Sequence, residues 1–376
     1  MSAKVLVLGA GFAGLELCSI LSEAFGEAIE ATLIDRGDAF IFGYAKLDVL
    51  FGRKTLDAVR LPYRSFAKQG VRLLRETVVA VDPTKRRVTT DAGIHEADFL
   101  VVALGADYDF AATPGLNAAG EFYSLEGANR LRDVLPGFSK GHALVGVCGA
   151  PYKCPPAPSE CALVLHDYLS AKGLRQACEI TLALPLPSPV PPSPETSKAL
   201  VAAFAERGIA FMPNRRVVSI DAERRLAKLD DGEELPYDLF LGVPKHRAPP
   251  VVEASGLSED AWIAVNPRTL ETKYPNVYAA GDIANTGTPK AGVFAEGAAK
   301  AVASALIARI RGEGRAQLYG GAGSCYVEFG SEKVARVDVD FFSGPKPTAV
   351  YHEPSLLLGA EKEAFGAARK ARWFNL

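Results

Sequence analysis

The sequence has no run of the roughly 18 apolar residues that a membrane-spanning helix needs. It has almost no net charge: 42 Lys and Arg against 44 Asp and Glu leave −2 over 376 residues. Without a strong field of either sign, no nucleic-acid partner is expected. Cysteine is sparse. There are six (Cys18, Cys148, Cys154, Cys161, Cys178, Cys325), with no CxxC, no haem-attachment CxxCH and no zinc spacing. This excludes a disulfide scaffold and predicts no bound metal. A reducing, cytoplasmic compartment is expected, where any disulfide would be a working one. The chain runs directly into an apolar strand at Lys4–Leu8, so no signal peptide is expected. No repeat of solenoid length is present. What the chain does have is 48% apolar residues, 35 Gly and 25 Pro, the composition of a globular protein rich in tight turns.

Its length predicts two to three domains. The first part alternates strand and helix: Lys4–Leu8, helix 14–25, Ala31–Ile34, an irregular stretch through Tyr63, then Val71–Val81 and Arg87–Thr90 as a small antiparallel layer, and a buried strand Phe99–Leu104. A second unit follows: strand 143–148, helix 159–171, strand 180–184 and helix 197–207, with Leu226–Leu229 and 238–243 resuming the sheet. The six-proline segment Pro185–Pro194 is read as an ordered loop, because strand and helix bracket it closely. Val277–Ala280 is a further strand, 292–311 an Ala-rich helix, and the last 50 residues a mixed layer (325–342) with a short terminal helix. Such alternation predicts an α/β fold with parallel sheets covered on both faces.

The first strand runs into Gly9-Ala10-Gly11-Phe12-Ala13-Gly14, a GxGxxG. Gly9 allows the tight turn, Gly11 lets backbone approach a pyrophosphate, and Gly14 lets helix pack on strand. The phosphates then face the positive end of the following helix. Asp35 ends the second strand, where an acid accepts ribose hydroxyls. In two-dinucleotide-domain flavoproteins a Gly-Asp such as Gly281-Asp282 completes the FAD site, and Ala103-Leu104-Gly105 is similar to their Ala-Thr-Gly strand end. FAD is therefore expected, with Arg36, Val79, Lys290, Ala291 and Gly292 added to its site. The second unit has no GxGxxG after its first strand. Prolines 151, 155, 156 and 158 stand there instead and lack the amide donors of a phosphate cradle. The expected architecture is two Rossmann-like three-layer domains and a small C-terminal one: a split FAD domain (1–110 and 260–320), a degenerate nicotinamide-type domain (111–259) carrying a cysteine loop, and an interface domain (321–376).

The loop Pro151-Tyr152-Lys153-Cys154-Pro155-Pro156-Ala157-Pro158-Ser159-Glu160 resembles the cysteine loop of sulfide:quinone oxidoreductases and of the flavin subunit of flavocytochrome c sulfide dehydrogenase. Trp262–Val265, Gly281–Ala284, Pro289–Gly292 and Gly323–Tyr326 extend the resemblance over nearly the whole chain. It implies that Cys154 and Cys325 form a redox-active disulfide beside the flavin, that Glu160 accepts a proton, and that Lys290 stabilises the reduced flavin. The residues add that Lys153, next to Cys154, and the helix start just beyond should lower the Cys154 pKa. The other four cysteines are expected to pack. Three features depart from the family pattern, one being Ser159, which stands where an aromatic is usual. Tyr123 and Ser124 stand where many quinone-reducing members carry a third cysteine, and the C-terminus is short. Only Leu356–Leu358, Phe365, Trp373 and Phe374, with Arg369, Lys370 and Arg372, could touch a membrane surface or else close over the flavin.

The implied activity is oxidation of sulfide or a related sulfur species through the cysteine pair, with two electrons passed by FAD to a quinone or a cytochrome c. A type II NADH dehydrogenase and an electron-transfer subunit of a cytochrome complex are the rival readings. The acceptor, the sulfur product and the oligomeric state, a homodimer included, stay open.

Overall fold

In the computed structural model, which describes residues 2–376, two parallel sheets organise the chain. The first has five strands in the order Val277–Ala279, Phe99–Val102, Ala3–Leu8, Ile29–Asp35 and Val71–Arg75. Its central strand is apolar without alternation because both faces are covered. Val5 and Val7 pack under helices Phe12–Phe25 and Gly292–Arg311, while Leu6 and Leu8 pack on Val81, Val88 and Ile263. The second sheet runs Ile209–Pro213, Cys178–Leu184, Gly141–Val147, Leu239–Val243. One of its faces meets helix Ala157–Ala171 through Leu163 and Leu165, the other meets an antiparallel meander through Val217 and Leu229.

An antiparallel sheet of Ala322–Gly330, Lys333–Asp340 and Thr348–Ser355 lies against helix Ala157–Ala171 and adds Val327, Ala335 and Val337 to the same core. Helix Leu356–Phe374 then returns to the first helix. Trp373 is fully buried against the edges of Phe12 and Phe40, at 5.5 and 5.4 Å, and its Nε1 donates to Glu16 at 2.8 Å.

Several boundaries differ from the sequence reading. Val71–Val81 is not one piece of an antiparallel layer. It breaks at Glu76, whose carboxylate is held by Thr90 (2.6 Å) and His95 (2.7 Å). The first half is the edge of the parallel sheet, and the second, Val78–Asp82, joins a separate three-stranded meander with Arg87–Thr90 and Ile94–Glu96. Leu226–Leu229 also belongs to a meander, paired with Val217–Asp221. The irregular stretch contains helix Ala45–Leu50. The helix expected from 159 opens at Ala157, with Pro158 in the first turn, where its missing N–H has no partner to lose. Pro185–Pro194 is ordered: Val190 exchanges hydrogen bonds with Ser197 Oγ (3.0 and 2.9 Å), and Ser193 caps the next helix. The terminal helix is long, 19 residues, and a third strand precedes it.

Candidate active site

The strand ends of the first sheet converge on the glycine turn. Gly9 has φ +100°, and a Cβ there would stand 2.4 Å from the Ala103 carbonyl oxygen; at Gly14 it would stand 2.0 Å from that of Gly9. Both glycines are needed by the chain's own packing. Gly11 is different: a Cβ there would meet nothing within 4 Å. Its bareness serves the space in front, where helix Phe12–Phe25 opens with no side chain capping its amides. Asp35 accepts from Ala10 N and Gly37 N, both at 2.7 Å, and keeps lone pairs for hydroxyl donors. Ala103, Leu104 and Gly105 follow the neighbouring strand, and Gly281-Asp282 the next, with Gly281 close to Ala13. Gly292 accommodates the Phe12 ring, 2.6 Å from where its Cβ would be. Open glycine, free amides and acid together fit the pyrophosphate and ribose of a dinucleotide.

Lys290 is buried at this edge. Its Nζ lies 3.4 Å over the Trp262 ring and donates to the Asp282 carbonyl. Burial pulls its pKa down to about 8, against the opposing pull of Asp282. Lys153, Lys290 and Lys46 all face the Asp282 carboxyl, yet burial still holds it above the usual carboxylate range.

Beside this lies the thiol pair. Cys154 sits in the turn before helix Ala157–Ala171, with φ +52°, a region few non-glycine residues adopt. Its N–H donates to the Lys290 carbonyl (2.8 Å), and its own carbonyl accepts from Ala157 N (2.9 Å) and from the Tyr123 hydroxyl (3.5 Å). The cysteine loop is thus stitched to the Lys290 segment. Cys325 comes from strand Ala322–Gly330, which packs on the helix carrying Glu160, so Glu160 faces both sulfurs. Glu160 is 3% exposed, and its Oε1 accepts from Glu328 N at 2.9 Å. Burial lifts its pKa to about 7, while Lys362 draws it down. Burial first and Glu160 second push both thiols up, Cys325 to about 12. All six cysteines are free thiols in this structure, and Cys18, Cys148, Cys161 and Cys178 are buried.

The expected effect of Lys153 on Cys154 is not found. Lys153 Nζ turns away to the Ala106 carbonyl (3.1 Å) and the Tyr108 ring (4.4 Å). The cation that faces Cys154 is Lys362, from the terminal helix. Lys362, Glu328 and Arg53 escaped the sequence reading because charged residues on an amphipathic helix, a strand and a loop look solvated. Of the expected cofactor residues, Arg36 is largely exposed and pairs with Asp107 (3.3 Å), Val79 is 57% exposed on Val78–Asp82, and Ala291 flanks the helix start beside Gly292. After the second sheet's first strand no helix begins until Ala157, and a Cβ on Gly149 would meet Lys245 at 2.9 Å. Trp373 and Phe374 turn inward, and Arg369 and Arg372 pair with Glu296 and Glu16, which withdraws them from a membrane role; Leu356 and Leu357 stay exposed. Among the described residues, no helix is long and apolar enough to cross a membrane.

The model of the pyridine nucleotide-disulphide oxidoreductase family matches residues 3–305. The chain belongs to that family. Within this oxidoreductase family, its similarity runs to sulfide:quinone oxidoreductases, as the loop motif implied. The mitochondrial enzyme of that name from Mus musculus is 24% identical over 365 residues, covering 92% of this chain and 80% of the mouse protein. The X-ray structure of the sulfide:quinone oxidoreductase from Aquifex aeolicus matches with a TM-score of 0.89 at 23% identity, covering 99% of this chain and 92% of that one. A type II NADH:quinone oxidoreductase of Staphylococcus saprophyticus is 32% identical, but only over 115 residues, 30% of this chain. Family membership implies a flavin cofactor.

Proposed function

We propose that the protein is an FAD-dependent oxidoreductase that oxidises sulfide through Cys154 and Cys325 and delivers two electrons to a quinone. The observation that carries this reading is that two cysteines, 171 residues apart, both lie near enough to one buried carboxyl to feel its charge, next to the glycine turn. The residue ranges 1–110 and 260–320 then hold FAD, 111–259 carries the cysteine loop, and 321–376 forms the acceptor side.

FAD, when bound, supplies the two-electron sink. The amides at the start of helix Phe12–Phe25 hold its pyrophosphate and Asp35 its ribose, while Lys290 offers a buried cation to negative charge at the strand ends. In the oxidised pair, hydrosulfide breaks the Cys154–Cys325 bond, forming a persulfide on one cysteine and a thiolate on the other. Glu160, titrating near neutrality, takes a proton at its carboxyl when H2S is the incoming species and returns it when a thiolate is reprotonated. Leu356 and Leu357 are the side chains that would touch a membrane holding the quinone. The quinone names of the Mus and Aquifex relatives support that acceptor over a cytochrome.

NADH is the rival donor, suggested by the partial Staphylococcus match. The late helix start and filled space at the second sheet argue against it. Anaerobic titration of the yellow protein decides. One equivalent of sulfide should bleach the flavin and NADH should not; stoichiometric bleaching by NADH with none by sulfide would overturn the reading.

A further inference from the structure

Beside the thiol pair lies a set of ions, Glu328, Lys362 and Asp48 buried and Arg53 at the surface, that phosphate binding and disulfide exchange do not require. Glu328 accepts from Arg53 Nη1 and Nη2 at 2.8 and 3.4 Å and from Lys362 Nζ; Arg53 also meets Asp48 at 3.1 Å. Lys362 and Glu328 are 7% and 9% exposed. A buried ammonium without a counter-ion is costly, and so is a buried carboxylate. Three cations meet here: Asp48 pairs with Arg53 and, at 3.0 Å, with Lys54, while Glu328 pairs with Arg53 and Lys362. Among the described residues none of the three comes within ion-pair distance of Glu160, so no direct pair requires it to be ionised. Glu328 reaches Glu160 in a second way. Strand Ala322–Gly330 is an edge strand, and an amide on its open side has no ladder partner. That of Glu328 donates to Glu160 Oε1 at 2.9 Å. The same strand carries Cys325. The groups facing Glu160 are therefore Cys154, Cys325, Cys161 and Tyr123 on the thiol side, and Glu328, Lys362 and Arg53 on the other.

We propose that Glu328 is a positioning residue for the thiol pair: its backbone amide fixes the Glu160 carboxyl against both cysteines, and its carboxylate neutralises Lys362 and Arg53, so that Glu160 keeps an exchangeable proton. This rests on Glu160 serving the thiols as described under Proposed function, and it places that role under the control of a residue three positions beyond Cys325. Without the Glu328 charge, Lys362 faces Glu160 with no partner and Arg53 keeps only Asp48, which favours the Glu160 carboxylate. Less of it would then hold a proton at the pH where the pair works.

The test reads Glu160 directly. In the reduced, flavin-loaded protein the infrared carbonyl band of a protonated buried carboxyl is followed against pH, and is assigned by its loss in Glu160→Gln. The wild-type band should vanish on raising the pH through about 7. Glu328→Gln, which keeps the backbone amide, should lower that midpoint by about one pH unit or more. Glu328→Asp should restore it, and Arg53→Met should raise it. The pH profile of flavin reduction by sulfide should shift with the band. An unmoved midpoint in Glu328→Gln, or an equal shift in Glu328→Asp, overturns the proposal. Should Glu328→Gln not fold, an unmoved or lowered midpoint in Arg53→Met does so. If the midpoints move as stated while sulfide fails to reduce the flavin, the positioning role stands and the sulfide reading falls.

Discussion

Two strand ends of the same topology are used in opposite ways. The strand Ala3–Leu8 turns at once through Gly9 and Gly11 into a helix, and the amides at that turn are local backbone, with Asp35 added from the next strand. The strand Gly141–Val147 hands over to a proline-framed loop, and its helix opens only at Ala157. There the turn presents a thiol instead of amides. The rest of the site is borrowed: a strand from the C-terminal sheet, a carbonyl at Lys290, a cation from the last helix. A phosphate cradle needs many equivalent N–H donors, which contiguous backbone supplies. A thiol pair needs two side chains brought face to face, which no contiguous segment supplies. One duplicated architecture can thus serve as cofactor holder and as reagent holder, the difference lying in the loop after one strand.

The largest effect is expected from breaking the first strand end. Gly14→Val places carbon inside the Gly9 carbonyl and should abolish flavin retention, measured as absorbance per mole of purified protein. Gly11→Ala, with open space around it, should leave the apoprotein melting within about 0.5 kcal/mol of wild type and still weaken flavin binding. Equal damage from both would erase the distinction between packing glycine and ligand glycine.

Breaking the second strand end should leave the first intact. Cys154→Ser and Cys325→Ser should purify with normal flavin and show no bleaching by sulfide in stopped flow, because a hydroxyl cannot form the disulfide. Bleaching of Cys154→Ser at the wild-type rate would separate the two strand ends entirely.

Smaller effects test what joins them. Trp373→Ala removes a fully buried ring from between Phe12 and Phe40 and leaves Glu16 one donor short. It should cost about 3–5 kcal/mol, read by chemical denaturation. Last comes pH. Glu160 titrates near 4.5 when unfolded and about 7 when folded, burial being the main cause. Between those values the folded chain binds a proton that the unfolded chain has lost, so stability falls as pH rises through that window. Glu160→Gln should remove this fall, a difference on the order of 2–3 kcal/mol between pH 4 and pH 8 in urea denaturation. Identical slopes for both proteins would mean that Glu160 is ionised in the folded state.

The parts legible in the chain were those whose reason is local. Val5–Leu8 followed by GxGxxG reads as a buried parallel strand and its turn, because each glycine answers a contact within a few residues or at a neighbouring strand. The split of Val71–Val81 was not legible: Glu76 is turned by Thr90 and His95, and nothing near it in sequence says so. The terminal segment stayed open for the same reason. Its aromatics and arginines suit a membrane surface as well as they suit Glu16, Glu296 and Phe12, and composition cannot separate the two.

The sequence by itself determined the α/β class and the glycine turn and, through a motif, singled out Cys154 and Cys325. The tertiary structure alone decided what surrounds them. Lys153 adjoins Cys154 in the chain, yet its side chain leaves for Ala106 and Tyr108, and the cation opposite the thiol is Lys362, over two hundred residues away. The physical reason is that backbone geometry is written in runs of neighbours, whereas electrostatics in a dry interior acts through space over several ångströms. Only the packing of strand Ala322–Gly330 and the last helix onto Ala157–Ala171 sets which charges share that space.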